Sequence, residues 1–320
     1  MKLDRKDFKL LYELDKNSRL SYSQLSKKVG LSQESIRYRI NKLVKGGVIN
    51  KFFTVIDISK LGFTFYKILL KLHNVNEEKI KRIIDFLCKE GNVVWLTSLE
   101  GSYDIGLVVK AENILELNTF LEKLDSRYNK NINKRIFSVN VYGDYLNRDY
   151  LINNKRTSEP KLSYTIESKK EKIDKKDLDI IKELTDDARI SAVEIGEKLN
   201  ISPDNVLQRK KKLENKNIIT KYNIVLNHNK LNQVHYKVLI YLNDFSPKRV
   251  SEFTDFCKSV NKVVYIIKTL GEWNYELDIE VESIDQYRDI MMQITNEFSD
   301  IIKDYNFLIV RRIYKYNLFP

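Results

Sequence analysis

A step of 170 residues carries almost every position between Leu3 and Tyr142 onto a counterpart, with no insertion needed. Leu3-Asp4-Arg5-Lys6-Asp7 returns as Ile173-Asp174-Lys175-Lys176-Asp177, and Leu14, Arg19, Ser21, Ser32, Arg39 and Leu43 return as Leu184, Arg189, Ser191, Ser202, Arg209 and Leu213. Deeper in each half, Val93-Val94-Trp95 pairs with Val263-Val264-Tyr265, Gly101 with Gly271, Tyr103 with Trp273 and Phe137 with Phe307. Solenoid units run to a few tens of residues, so this period is too long for one. The chain is two copies of a multidomain unit, and whatever fold it adopts must be satisfied twice.

With 320 residues, 42% of them hydrophobic and 11% aromatic, two to four packed domains are expected. No stretch approaches the roughly 18 uncharged apolar residues of a membrane span, and Met1-Lys2-Leu3-Asp4 opens a charged amphipathic pattern rather than a signal peptide. A cytoplasmic protein without a membrane partner is the expectation. Cys88 and Cys257 lack metal-ligand spacing and read as inert core thiols. A net charge of +12 favours an anionic partner, and its placement says more than its size. Between Lys27 and Lys51 seven basic residues face the single acid Glu34; Lys198 to Lys221 repeats the bias.

Local patterns give the elements. Asp4 can cap a helix carrying Phe8, Leu11 and Tyr12; Ser21 starts a short helix that Gly30 stops; Ser32 caps a third with Ile36, Ile40, Leu43 and Val44 on one stripe. Gly46-Gly47 then leads into the strand-like run Val48 to Ile56. Two helices joined by a tight turn and followed by a hairpin-like segment make a winged helix-turn-helix. After Gly62 the order is βαββαβ, ending near Tyr142, a ferredoxin-like arrangement. The expected fold class is α+β, with winged helix-turn-helix domains at 1–60 and 173–230 and ferredoxin-like domains at 61–146 and 231–320. The polar stretch 147–172, which contains Pro160, reads as a partly extended linker.

Opposite its apolar stripe the third helix carries Glu34, Tyr38, Lys42 and Lys45, flanked by Arg37 and Arg39, with Ser32, Gln33 and Ser35 at its N-terminus. A major groove admits such a helix, its first turn reaching base edges while Lys and Arg meet phosphates. The second copy offers Ser202, Asp204, Asn205, Gln208, Arg209, Lys211 and Lys212. There Lys210 replaces the inward Ile40 and Lys216-Asn217 replaces Gly46-Gly47; a Lys can snorkel, and Asn tolerates the left-handed turn. Unlike helices predict an asymmetric site on double-stranded DNA.

Leu3-Asp4, Asp7, Leu10-Leu11, Leu14, Arg19, Leu25, Leu31-Ser32, Ile36, Arg39-Ile40, Leu43 and Gly47-Val48-Ile49 resemble the DNA-binding domain of the Lrp/AsnC (leucine-responsive/asparagine-synthase) regulators. The βαββαβ unit resembles their effector-binding and oligomerisation domain, and Gly101-Ser102-Tyr103-Asp104 looks like the family's Gly-x-aromatic-Asp turn. The second copy reads Gly271-Glu272-Trp273-Asn274, without the acid. The resemblance implies a transcription regulator that binds an amino acid or related metabolite near Gly101, Tyr103, Asp104, Gly271, Trp273 and Asn274, and that forms homo-oligomers. Family members usually carry one unit, so the duplication points to an intramolecular pseudo-dimer. Gly101 is equally explained by a hairpin needing positive φ, and Tyr103 by cross-strand packing.

A related fold serves siroheme decarboxylases, which makes an enzyme the rival reading. Tetrapyrrole chemistry wants Arg and His groups converging on propionates, yet the chain has only His73, His228 and His235, none recurring in the other copy. His73 and His235 fall in strand-like runs and read as structural. No phosphate loop, metal-ligand cluster or catalytic constellation stands out, so no catalytic residue, cofactor or metal is expected. A third reading is an effector sensor that no longer reads DNA, for which Lys210 is the support.

Overall fold

Side-chain caps fix where the helices begin. The Asp4 carboxylate accepts the Asp7 N–H at 2.8 Å and Asp7 accepts the Asp4 N–H at 3.1 Å, opening α1 (Arg5–Lys16). Ser21 and Gln24 do the same for α2 (Tyr22–Val29), and Ser32 accepts the Ser35 N–H to open α3 (Gln33–Lys45). Asp174, Ser191 and Ser202 cap α6 (Lys175–Asp186), α7 (Ala192–Leu199) and α8 (Pro203–Asn215) in turn. Asn217 takes the left-handed conformation at φ 51° where Gly47 has 66°, so the turn survives the substitution. The structure is a computed structural model that describes residues 2–153, 156, 161–244 and 246–319. Pro160 lies outside the described residues.

The wing differs from the hairpin-like expectation. Each wing is one strand, β1 (Ile49–Ile56) or β7 (Ile219–Leu226), and its antiparallel partner is the other copy's wing, with Phe53 opposite Asn223. Reciprocal contacts tighten the pair. Arg19 Nη1 donates to the carbonyls of Ala188 and Ile190 at 2.5 and 3.1 Å, and Arg189 Nη1 donates to those of Ser18 and Leu20 at 2.5 and 3.2 Å. The repetition of Arg19 as Arg189 thus serves an intramolecular two-fold clasp.

The first βαββαβ unit is β2 (Thr64–Leu72), α4 (Glu77–Lys89), β3 (Val93–Gly101), β4 (Ile105–Ala111), α5 (Ile114–Tyr128) and β5 (Ile132–Tyr145). Its repeat is β8 (Val234–Leu242), α9 (Pro247–Ser259), β9 (Val263–Gly271), β10 (Tyr275–Val281), α10 (Ile284–Glu297) and β11 (Ile302–Tyr316). The last strand of each unit is long enough to serve both. β5 pairs first with β2 and then with β9, while β11 pairs first with β8 and then with β3. Order β2-β4-β3-β11-β8-β10-β9-β5, with β5 returning to β2, closes a barrel and leaves none of these strands as a bare edge. Period-two alternation then sorts side chains: Tyr66, Ile68 and Leu70 pack under α4 and α5, whereas Phe65, Lys67 and Leu69 face inward.

The segment read as a linker is built into this assembly more fully than expected. Tyr150 and Leu151 lie in the core of the first helix-turn-helix, and β6 (Lys161–Thr165) pairs with the end of β5.

Gly271 stands at φ 146°, and a Cβ there would meet the Phe137 carbonyl at 2.9 Å. Gly271→Ala is expected to lower stability by about 1–3 kcal/mol. Gly91→Ala, with nothing within 4 Å, should be near neutral in the same denaturant titration.

Candidate nucleic-acid interface and an interior charged cavity

Burying Ile36, Ile40 and Leu43 turns the opposite face of α3 to solvent. Gln33, Glu34, Arg37, Tyr38, Lys42 and Lys45 are exposed, with Ser32 at the cap and Ser35 half-buried. Arg37, Lys42 and Lys45 make no ion pair among the described residues. On α8, Ser202, Asp204, Asn205, Gln208, Lys211 and Lys212 are exposed. Lys212 sits 3.0 Å from Asp177. Lys210 snorkels as expected: its ammonium reaches Glu214 at 2.9 Å and lies over the Tyr222 ring.

Arg39 and Arg209 depart from the expectation. Arg39 Nη1 bonds Asp4 at 2.8 Å and Asp7 at 2.6 Å, and Arg209 Nη1 bonds Asp174 and Asp177 at 2.7 Å each. Asp7 and Asp177 are buried at the start of α1 and α6, so these arginines lock the recognition helix to the first helix instead of facing a groove. The recurrence Asp4, Asp7, Arg39 and Asp174, Asp177, Arg209 was the available signal.

The expected effector turns are also largely structural. Tyr103 and Trp273 are buried in one apolar cluster with Leu69, Leu99, Leu239 and Leu308, drawn from both copies. Asp104 accepts the Leu72 N–H at 2.7 Å and pairs with Lys71 at 3.0 Å; Asn274 accepts the Leu242 N–H at 2.7 Å. The Asp-to-Asn change keeps this backbone bond, which explains why it is tolerated. Gly101 and Gly271 supply positive φ beside the neighbouring copy's strand.

Under the paired wings the barrel encloses a cavity of about 90 Å³. Register sets Lys237 opposite Asp278 and His235 opposite Glu280 on the inward face of β8 and β10. Lys237 bonds Glu276 at 2.6 Å and Asp278 at 2.7 Å, and Lys67 reaches Glu276 at 3.2 Å while lying over Trp95. Burial opposes the Lys237 charge, but Asp278 and Glu276 outweigh it and raise its pKa. Arg148, half-buried, joins Asp15 at 2.5 Å to Glu280 at 2.8 Å. Burial penalises Glu280's charge, yet Arg148 and His228 hold its carboxyl well below the usual range. First-copy counterparts of Glu276, Asp278 and Glu280 are Gly106, Val108 and Lys110, so the cluster breaks the pseudo-symmetry. Acids alternating with apolar residues in Tyr275 to Val281, a strand buried on both faces, were its trace in the sequence.

Burial, offset in part by Glu276, lowers the Lys67 pKa to about 8, below its ordinary 10.5. The unfolded chain then binds more protons between those values, so the penalty from Lys67 is full below pH 8 and fades as pH rises to 10.5. Lys67→Met, which leaves Glu276 paired with Lys237, should stabilise at pH 7, with the gain shrinking towards pH 10. Equilibrium denaturation at both pH values checks this.

A family described as winged helix-turn-helix DNA-binding matches residues 3–50 and 173–220. An uncharacterized HTH-type transcriptional regulator of Pyrococcus furiosus is 33% identical over 135 residues, covering 42% of this chain and 87% of that protein. The HTH-type transcriptional regulator FL11 of Pyrococcus horikoshii is 32% identical over 124 residues, covering 39% of this chain and 81% of its own length. Each relative thus corresponds to about one copy. The crystal structure of the siroheme decarboxylase NirDL matches 98% of this chain and 93% of its own with a TM-score of 0.62, a likeness of fold at 14% identity. Among the described residues, no helix is long and apolar enough to cross a membrane. Duplicated cap, recognition and clasp residues, two family matches at the same offset and single-unit relatives converge: the chain belongs to the Lrp/AsnC family of HTH-type transcriptional regulators and carries the family's unit twice.

Proposed function

We propose that this regulator binds duplex DNA sequence-specifically through α3 and α8, reading an asymmetric operator. The observation that carries this reading is that both helices expose unlike polar faces while the paired wings and the Arg19/Arg189 clasp join them in one frame. Binding to a pool of genomic fragments across a salt series tests it. Affinity should fall steeply with salt while fragments sharing a motif stay enriched. Two equivalent half-sites in a base-by-base scan would contradict the asymmetry.

An amino acid or related metabolite serves as effector in this reading, and pseudo-dimers associate further into homo-oligomers. Family membership supports both. Titrating amino acids while following sedimentation and DNA affinity tests them together.

The enzyme reading draws on the whole-chain likeness to a siroheme decarboxylase and on the polar interior. A NirDL structure is described in complex with an iron-uroporphyrin III analogue. Optical titration of this chain with an iron tetrapyrrole, followed by product analysis, discriminates: tight binding with decarboxylation favours the enzyme.

A further inference from the structure

Two of the chain's three histidines meet one carboxylate inside the cavity, in the second copy alone. Cross-strand register sets His235 beside Glu280, and the short turn before β8 brings His228 Nε2 to 2.7 Å from Glu280 Oε1. One donor atom from each residue lies within 4.8 Å of the other two. An ordinary His228–Glu280 hydrogen bond accounts for that pair and leaves the His235 Nδ1 without a hydrogen-bond partner among the described residues. The His235 residue is only 7% exposed, yet neither ring nitrogen has a well-formed hydrogen bond among the described residues. Its Nε2 lies 3.1 Å from Asp278 Oδ2, where an outer carboxylate would fix the tautomer that offers Nδ1 to a metal. Glu280 is oriented by Arg148, whose Nε and Nη2 donate at 2.8 and 2.9 Å, and by the Tyr150 hydroxyl.

We propose that His228, His235 and Glu280 form a site for one transition-metal dication of the zinc or ferrous type, with water completing its coordination. Two imidazoles and a carboxylate favour such borderline ions over magnesium or calcium. A zinc ion at about 2.0–2.1 Å from each donor needs the three donor atoms, now within 4.8 Å of one another, to close around it, and the metal replaces the His228–Glu280 hydrogen bond. A cavity of about 90 Å³ has room for an ion with its waters. The first copy holds Ile58, Phe65 and Lys110 at these positions and offers no second site.

The demetallated full chain is titrated with Zn²⁺ by calorimetry and with Co²⁺ by visible absorption. One equivalent is expected, with Co²⁺ bands of a low-coordinate imidazole site. H235F and H228I install the first copy's residues and should each weaken Zn²⁺ binding by at least about 100-fold. His73, exposed and outside the cavity, provides the control: H73A should bind as the parent does. No stoichiometric uptake by the parent chain, or unchanged uptake by H235F, overturns the proposal. Should H235F fail to fold by circular dichroism, the parent's Co²⁺ spectrum decides, and absence of those bands overturns it. The site does not depend on the DNA reading: a chain that binds DNA but no metal defeats this proposal alone.

Discussion

Arg148→Met is expected to destabilise the protein by about 3–5 kcal/mol, read from equilibrium unfolding. The guanidinium, on a side chain 14% exposed, sits between two carboxylates that are fully buried, Asp15 on α1 and Glu280 on β10. Its backbone N–H also donates to Asp15 at 2.9 Å. Removing the cation leaves two charges in the interior with too few partners, and desolvation then dominates. The effect reaches across the molecule, because Arg148 follows the end of β5 and ties the first helix-turn-helix to the second copy's barrel strand. Adding Glu280→Gln should recover part of the loss by removing one of the stranded charges; a double variant as unstable as the single would show that packing of the arginine stem, not charge, sets the effect. A single variant within about 1 kcal/mol of the parent would sink the argument.

Replacing Arg37, Lys42 and Lys45 together with Ala should weaken DNA binding about 100-fold or more near physiological salt, with the slope of log affinity against log salt falling by about three. These side chains are exposed on α3 and unpaired among the described residues, so folding should be untouched. Fluorescence anisotropy across a salt series reads both quantities. Arg39→Ala provides the contrast, since it strands the buried Asp7 carboxylate and should lower the melting temperature. Unchanged affinity in the triple variant would remove α3 from the interface.

Much of the architecture was legible because duplicated sequence doubles every local signal: caps, stops and periodicities recurred 170 residues apart. What stayed hidden were relations between copies. Nothing in Val48 to Ile56 says that its partner strand is Ile219 to Leu226, since either wing could have folded into its own hairpin. Arg39 read as a groove cation because helical position alone does not reveal Asp4 and Asp7 below it. Trp273 read as a ligand contact because a turn motif does not disclose the barrel interior behind it. His235 and Glu280 were invisible as a pair until register aligned two strands separated by a helix and a further strand.

The shared strands also set an order on how the chain can be made. β3 is finished at Gly101, but its neighbour β11 begins its contact at Leu308, roughly 200 residues later. At about 5–20 residues per second on the ribosome, that edge waits roughly 10–40 s for its partner. Through that interval the first copy is an open half-barrel, able to recruit β11 from another nascent chain. A ribosome-bound intermediate exposed to other nascent chains therefore faces a choice between closing on itself and trading strands, and slower elongation should shift the yield towards traded dimers.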